Sequence, residues 1–331
     1  MTVLDDAARR ASTEVGKAQG DGAAKQLTRA AIDELIGALD AWGRDPDQSI
    51  AYITRDDADN ARLTVGPLDV SGAIGGERGA ILTSATLALG GSFDYMAQAT
   101  GMALTGVPWH GIDVGSPFDH ARQGIRYVAR HLPPPGRDGP SEQLLDELVE
   151  LAQASGGGVL ALFASRRGAQ AGAQALRERT ELTVYLQGEE TLAQLIGRFR
   201  EERDSCLVGT MSLWQGVDVV GDACRLVVID KIPFPRPDDP VSRARSKAVE
   251  RRGGNGFMSV CLTHAALMMA QGAGRLLRST EDRGVVAILD PRALTKRYGA
   301  FILASLPPLW PTTDPHVVRG ALRRLNGAGD Q

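Results

Sequence analysis

From residue 141 onward the chain alternates between short, largely apolar runs and longer stretches with helical spacing. The runs are Val159-Leu-Ala-Leu-Phe-Ala164, Leu182-Thr-Val-Tyr-Leu186, Cys206-Leu-Val-Gly209, Arg225-Leu-Val-Val-Ile-Asp230 and Val285-Val-Ala-Ile-Leu-Asp290. An apolar run without strict alternation suits a strand covered on both faces. The stretches between them predict helices over Gln170–Arg179 and Thr191–Glu202, and an apolar helix over Met258–Gln271. Ser141 is placed to N-cap a further helix that runs to Ala154, with Glu142 in its first turn and Gly156-Gly-Gly at its end. Strands alternating with helices predict an α/β fold with a parallel sheet, whose ligands bind beyond the carboxyl ends of the strands.

The amino-terminal 75 or so residues read as helical and then irregular. Leu27, Ala31, Leu35 and Leu39 form a helical stripe, Ala51-Tyr-Ile-Thr a short strand, and Gly72 to Gly79 a loop. Ala80-Ile-Leu-Thr-Ser-Ala-Thr-Leu87 predicts a buried strand ending in small hydroxyl residues. A helix from Ser92 and an irregular stretch containing Gly115-Ser-Pro-Phe-Asp119 follow. Leu132-Pro-Pro-Pro-Gly136 predicts a linker, because consecutive prolines cannot continue a helix.

Composition narrows the class. The 331 residues are 43% hydrophobic and 23% charged, enough for a sizeable core in one large or two ordinary domains. A formal net charge of −3 excludes a wholly basic nucleic-acid binder, though a local stripe stands at Arg243, Arg245, Lys247, Arg251 and Arg252. That stripe suits either a nucleic-acid groove or a solvated helix face. Aromatics at 5% do not advertise a broad base-stacking platform. Cys206, Cys224 and Cys261 match no zinc or disulfide spacing, and Cys206 and Cys224 sit in apolar runs that predict buried thiols. The five histidines, His110, His120, His131, His264 and His316, show no metal spacing. No metal site is expected in this chain. With neither a signal-peptide pattern nor an apolar membrane span, the cytoplasm is the expected compartment and no membrane partner is expected.

Four clusters carry candidate chemistry. Thr83-Ser-Ala-Thr-Leu87 places small hydroxyls where they suit a phosphate or a structural turn. Phe163-Ala-Ser-Arg-Arg167 puts Ser165 and Arg166 beyond a strand, where they suit a phosphate backbone or a helix N-cap with solvated arginines. Gly209-Thr-Met-Ser-Leu-Trp-Gln-Gly-Val-Asp218 leads from a strand into a turn. There Trp214 suits base stacking or a core, and Asp218 suits a ribose hydroxyl or an arginine. It is followed by the rigid Asp230-Lys-Ile-Pro-Phe-Pro-Arg-Pro-Asp-Asp-Pro240 loop. Gln271-Gly-Ala-Gly-Arg-Leu-Leu-Arg278 spaces Arg275 and Arg278 three apart, on one helix face, as a pair of guanidinium forks suited to phosphate oxygens. Pairing with Glu281 or Asp282 is the structural alternative for that pair.

In this order and spacing the clusters resemble the DinG/XPD-like branch of superfamily 2 helicases, over about residues 78 to 310. Thr83–Leu87 is similar to that family's motif III, Phe163–Arg167 to motif IV, Gly209–Asp218 with the Pro-Phe-Pro-Arg-Pro loop to motif V, and Gln271–Arg278 to motif VI. Gly115–Asp119 and Gly284–Arg292 also resemble bacterial DinG-type sequences. The resemblance implies a RecA-like parallel sheet with helices on both faces over 131–331. It further implies the end of a first RecA-like motor domain over 76–130 and a helical remnant of an arch-like insertion over 1–75. It implies ATP bound between two such domains, with Arg275 and Arg278 reaching the γ-phosphate and Gln271, Gly274, Gly216 and Asp218 completing the nucleotide contacts. Thr83, Ser84, Ser165, Arg166, Thr210 and Trp214 would track single-stranded DNA, with 5′-to-3′ polarity and a role in DNA repair.

The chain contains no Gly-x-x-x-x-Gly-Lys-Ser/Thr loop and no acidic magnesium-binding box. A full ATP and Mg²⁺ site therefore requires an amino-terminal motor half, in cis or in trans, and an iron–sulfur cluster of the kind some members carry would lie in that half. Little ATP hydrolysis is expected of the chain alone. A non-catalytic, single-stranded nucleic-acid-binding or regulatory module derived from a helicase is the alternative, and an unrelated α/β enzyme a third.

Overall fold

The computed structural model describes residues 2–18, 22–44, 49–55, 59–71, 79–102, 108–136, 139–215 and 221–327. In chain order the elements begin with α1 (Thr2–Lys17), α2 (Gly22–Arg44), β1 (Ser49–Arg55), β2 (Ala61–Pro67), α3 (Asp94–Ala99) and α4 (His120–Gln123). They continue with β3 (Gly124–Val128), α5 (Glu142–Ser155), β4 (Val159–Phe163), α6 (Arg166–Arg179), β5 (Thr183–Leu186), α7 (Leu192–Glu201) and β6 (Ser205–Thr210). After 3-10 turns at Met211–Gln215 and Gly221–Ala223 come β7 (Leu226–Ile229) and α8 (Pro240–Arg251). A π-helical turn over Phe257–Leu262 precedes α9 (Thr263–Ala273). The remainder is β8 (Gly284–Ile288), α10 (Arg292–Thr295), α11 (Gly299–Ala304), β9 (Trp310–Thr312) and α12 (Pro315–Leu325).

The chain divides into two compact units. One comprises residues 1–80, 97–109 and 236–261. Within it the Arg9 guanidinium reaches both Asp5 and Asp40 and so ties α1 to α2. β1 and β2 form an antiparallel hairpin with Ser49 opposite Pro67 and Arg55 opposite Ala61. The α2 stripe is only half used, since Leu39 is buried while Leu27 is exposed. α8 buries no residue, and Arg243, Arg245 and Lys247 stand exposed on it. Arg245 Nε also donates to the Leu68 carbonyl at 2.9 Å.

The second unit holds a seven-stranded sheet in the order β5-β6-β4-β7-β8-β3-β9, with every pair parallel. The expected α/β architecture is present. Successive residues of each central strand point to opposite faces and both faces are buried. Leu160, Leu162, Val227, Ile229, Val286 and Ile288 pack with residues of α7, α9 and α11. Val159, Ala161, Phe163, Val228 and Ala287 pack on the other side with α5, α6 and α12. Ser141 caps α5 as expected, its Oγ accepting from Leu144 N at 3.3 Å. β3 was not legible as an apolar run because Arg126 interrupts it. That side chain escapes the core by donating to the Leu303 carbonyl at 3.1 Å.

Two expectations are corrected. Ala80–Leu87 is not a buried strand: residues 79–84 take no regular structure, residues 85–86 form a turn, and Ile81 is 92% exposed. A strand needs a neighbour to complete its ladder and cover its faces, and no described strand pairs with this segment. Met258–Gln271 is not one regular helix, because its first turns are π-helical and the α-helix begins at Thr263.

Two buried charges lock the helices to the sheet. Arg225, 1% exposed, donates to the carbonyls of Ser155 and Gly156 at the end of α5, each at 3.1 Å, where carbonyl oxygens lack helical partners. Glu147 on α5 accepts from Tyr127 Oη of β3 at 2.8 Å and from Arg319 Nη2 of α12 at 2.7 Å. Removing one member of such a buried set strands the others, at a cost of about 3–5 kcal/mol. Glu147→Ala is expected to lower the unfolding free energy by about that amount. Urea unfolding followed by circular dichroism measures it, and an unchanged midpoint would contradict this role for Glu147.

Candidate functional site

A parallel sheet has two unlike edges, and the candidate residues divide between them. At the carboxyl edge β4 ends in Phe163, and Ser165 follows in extended conformation as the N-cap of α6. Its Oγ accepts from Gly168 N at 3.1 Å, which leaves Arg166 and Arg167 exposed in the first turn. β6 ends in Thr210, whose N and Oγ1 donate to Gln187 Oε1 at 2.8 and 3.0 Å, with Oγ1 2.9 Å from Ser212 Oγ. Ser165, Arg166 and Thr210 are thus brought to one edge, as their motifs imply.

Two carboxylates that sequence reasoning left without a role stand at the same edge. Asp290, fully buried beyond β8, accepts from Ile232 N at 2.9 Å and from Arg292 N, Nε and Nη2 at 3.0, 2.9 and 2.7 Å. Arg292 lies 5.8 Å from the Phe234 ring centroid, and Phe234 meets Tyr298 edge-on at 5.4 Å. Asp230, at the end of β7, accepts through Oδ1 from Ala164 N at 2.8 Å and Lys231 N at 2.7 Å. Burial pushes its carboxyl up to about 7, against the pull of those two amides and of Lys231. Asp230 and Lys231 line a small cleft with Pro133, Pro134, Pro135 and the start of α5 at Ser141. The signal available in the sequence was that two apolar runs both end in Asp.

The arginine pair lies at the opposite, amino edge. Here the expectation of a shared helix face is corrected: α9 ends at Ala273, and Arg275 and Arg278 belong to the turn beyond it. Gly272 and Gly274 weaken the helix, and the chain folds into short-range bonds from Gly274 N to Ala270 O, Arg275 N to Gly272 O and Leu276 N to Ala273 O. Leu276 and Leu277 are buried and anchor the turn, while Arg275 and Arg278 are half-buried. Leu276 packs over the starts of two strands. A Cβ added to Gly284, the first residue of β8, would fall 2.6 Å from Leu276 Cδ1, and one at Gly124, the first residue of β3, 3.4 Å from Leu276 Cδ2. Gln271 sits in the last turn of α9, and Gly274 follows directly.

Asp282 organises the turn. Its carboxylate, buried just ahead of β8, accepts from Arg278 N at 2.6 Å, Ser279 N at 2.8 Å, Ser279 Oγ at 2.6 Å and Gly221 N at 3.1 Å. Burial works against its ionisation, but these donors outweigh burial and hold the carboxyl below the usual carboxylate range.

The remaining candidates are not brought to either edge. Thr83 and Ser84 are exposed outside the sheet, and Ser84 Oγ accepts from Thr86 N at 3.3 Å in a local turn. Gly216, Asp218 and the side chain of Trp214 lie outside the described residues. Among the described residues no group of three His, Cys, Asp or Glu is arranged to hold a metal ion. Burial raises the Cys206 and Cys224 thiols to about 12 each, which keeps them protonated. Among the described residues no helix is long and apolar enough to cross a membrane.

The helicase C-terminal domain family matches residues 148–309, the stretch that carries both edges. The chain is 53% identical over 289 residues to the ATP-dependent helicase DinG of Mycobacterium tuberculosis, covering 85% of this chain and 43% of that protein. It is 39% identical over 234 residues to the ATP-dependent DNA helicase YoaA of Escherichia coli, covering 71% and 36%. A solved structure described as apo XPD superposes with a TM-score of 0.58 at 18% identity, over 89% of this chain and 59% of that one. Residues 148–309 carry a helicase C-terminal domain, in a chain similar to DinG and YoaA helicases and with the fold of XPD. The sheet is accordingly RecA-like, as the motifs implied. The chain spans less than half the length of the curated relatives it matches. The activities named for relatives also differ, since a Bacillus subtilis protein 32% identical over 239 residues is called a 3′-5′ exonuclease DinG.

The raised carboxyl of Asp230 has a thermodynamic signature. Its proton is held more tightly in the folded chain than in the unfolded one, so it contributes stability in full below about pH 4 that is lost as pH rises through about 7. Asp230→Asn keeps the amide acceptor and removes the charge. Its stability relative to the parent chain is expected to rise by about 1 kcal/mol per pH unit between pH 4 and 7 and then level off. Urea titrations across that range measure the difference, and a flat difference would refute the assignment.

Proposed function

We propose that the chain is the C-terminal motor portion of an ATP-dependent DNA helicase, coupling nucleotide state to movement on single-stranded DNA. The observation that carries the reading is the placement of the arginine turn at the amino edge of the sheet, with the hydroxyls and arginines of Ser165, Arg166 and Thr210 at the carboxyl edge. One rigid sheet thus joins a group suited to a γ-phosphate to a group suited to a phosphate backbone. Arg275 and Arg278 would meet the charge that develops on the transferred phosphoryl, with Gln271 and Gly274 bounding that contact. Hydrolysis of ATP supplies the free energy for stepping.

In this reading the second RecA-like domain begins ahead of 131, because β3 at Gly124–Val128 lies in its sheet between β8 and β9. The segment before it is the end of a first domain, and 1–75 the remnant of an arch-like insertion. The sequence contains no phosphate loop and no acidic box. The phosphates and Mg²⁺ are therefore assigned to an amino-terminal motor half, joined in cis or in trans. The exposed apolar side chains Ile81 and Val114, each 92% exposed, support a partner that covers them. Movement from 5′ to 3′ and a role in DNA repair follow from the resemblance.

The test combines the chain with the motor half of the M. tuberculosis relative and measures ATP hydrolysis with and without single-stranded DNA. DNA-stimulated hydrolysis is expected from the combination and little from the chain alone. Arg278→Ala is expected to lower kcat on the order of 10³-fold while DNA binding, weakening with salt, is retained. Unchanged hydrolysis in that variant would sink the assignment of Arg278. Single-strand binding by the chain with no hydrolysis in any combination would favour a non-catalytic module.

A further inference from the structure

The turn that carries Arg275 and Arg278 is gripped from two sides by side chains that no motif includes. On one side the Asp282 carboxylate gathers four donors, two of them the backbone amides of Arg278 and Ser279. On the other, Gln123 Nε2 donates to the carbonyls of Ser279 at 3.2 Å, Thr280 at 3.0 Å and Asp282 at 3.1 Å. Both side chains are buried, Gln123 at 5% exposure and Asp282 at 5%. A short turn past a helix end has few ladder bonds of its own. Here amide protons are satisfied by a carboxylate and carbonyls by a carboxamide, so neither group can be exchanged for the other without placing like against like.

The fourth donor to Asp282 matters most. Gly221 is the first described residue after a segment that leaves the carboxyl edge at Thr210. A connection between parallel strands has to return the chain from the carboxyl to the amino edge. Thr210 is fixed at its upper end by Gln187, and Gly221 at its lower end by Asp282. The same carboxylate that sets the backbone of Arg278 therefore holds the foot of the connection whose head stands among the groups suited to DNA.

We infer that Asp282 and Gln123 are positioning residues: together they set the arginine turn, and Asp282 links it to the connection between β6 and β7, so that nucleotide and DNA edges report to one another through this carboxylate. The inference rests on the reading of Arg278 as a nucleotide-facing residue. Asp282→Asn is nearly isosteric but turns an acceptor into a donor facing amide protons. Gln123→Glu makes the reverse change on the opposite side and serves as the second variant should the first fail to fold.

In the full chain combined with a motor half, either variant is expected to lower the DNA-stimulated kcat on the order of 10–100-fold, with KM for ATP changed less than about threefold. The Asp282→Asn, Arg278→Ala double variant is expected to fall no further than Arg278→Ala, because both act through one guanidinium. Independent, multiplicative losses, or a rise in KM with kcat preserved, would overturn the inference. A second arm uses the chain alone. Amide NMR of Asp282→Asn is expected to shift the Gly221 resonance together with those of Arg278 and Ser279. Shifts confined to Arg278 and Ser279 would overturn the link to Gly221. If the unaltered combination hydrolyses no ATP, the proposed function fails, and this second arm still decides the inference.

Discussion

Everything in the larger unit depends on a parallel sheet buried on both faces. Its strands have no solvent side to turn a polar residue toward, so each must be apolar throughout and each face must be covered by helices. Those helices are the crossovers, and a crossover always returns the chain to the same edge from which the next strand starts. The consequence is polarity: all strands end at one edge and all begin at the other. Ser165, Thr210, Asp230 and Asp290 are collected at the first edge for no reason other than following a strand. Gln123, Arg225 and Asp282 are collected at the second because they precede one.

At both edges backbone groups near the strand ends are met by buried charges. Asp290 gathers two amides and a guanidinium, and Asp282 gathers three amides and a hydroxyl. Arg225 serves carbonyls at the end of α5. Each of these charges is costly to bury, and its partners include backbone groups that it satisfies. Asp230 is the exception that shows the balance. With two amides on a single oxygen its burial is not fully compensated, and its carboxyl is pushed up to about 7, whereas Asp282 with four donors is held low.

The exposed segments at Ile81 and Val114 belong to the same logic seen from the other side. Their residues have the character of strand residues, yet a strand takes its stability from a neighbour's ladder and from cover on its faces. No described strand lies alongside them, and they take no regular structure.

The sequence by itself determined the α/β class, the central strands β4 to β8 and most of the helices, because a doubly buried strand must be apolar and a helix in this layer must be amphipathic or apolar. It also carried the cluster order that marks a DinG/XPD-like helicase portion, since motif spacing is a property of the chain. Tertiary structure alone decided where those clusters stand. β3 was hidden by Arg126, whose charge finds a carbonyl only in the folded unit. The apparent helix face of Arg275 and Arg278 dissolved into a turn because Asp282, four residues beyond Arg278, captures backbone amides that a helix would otherwise have used. Gln123 and Asp282 are 159 residues apart in the chain and carry no motif. Their meeting is a product of strand order, β8 beside β3, which no local pattern encodes.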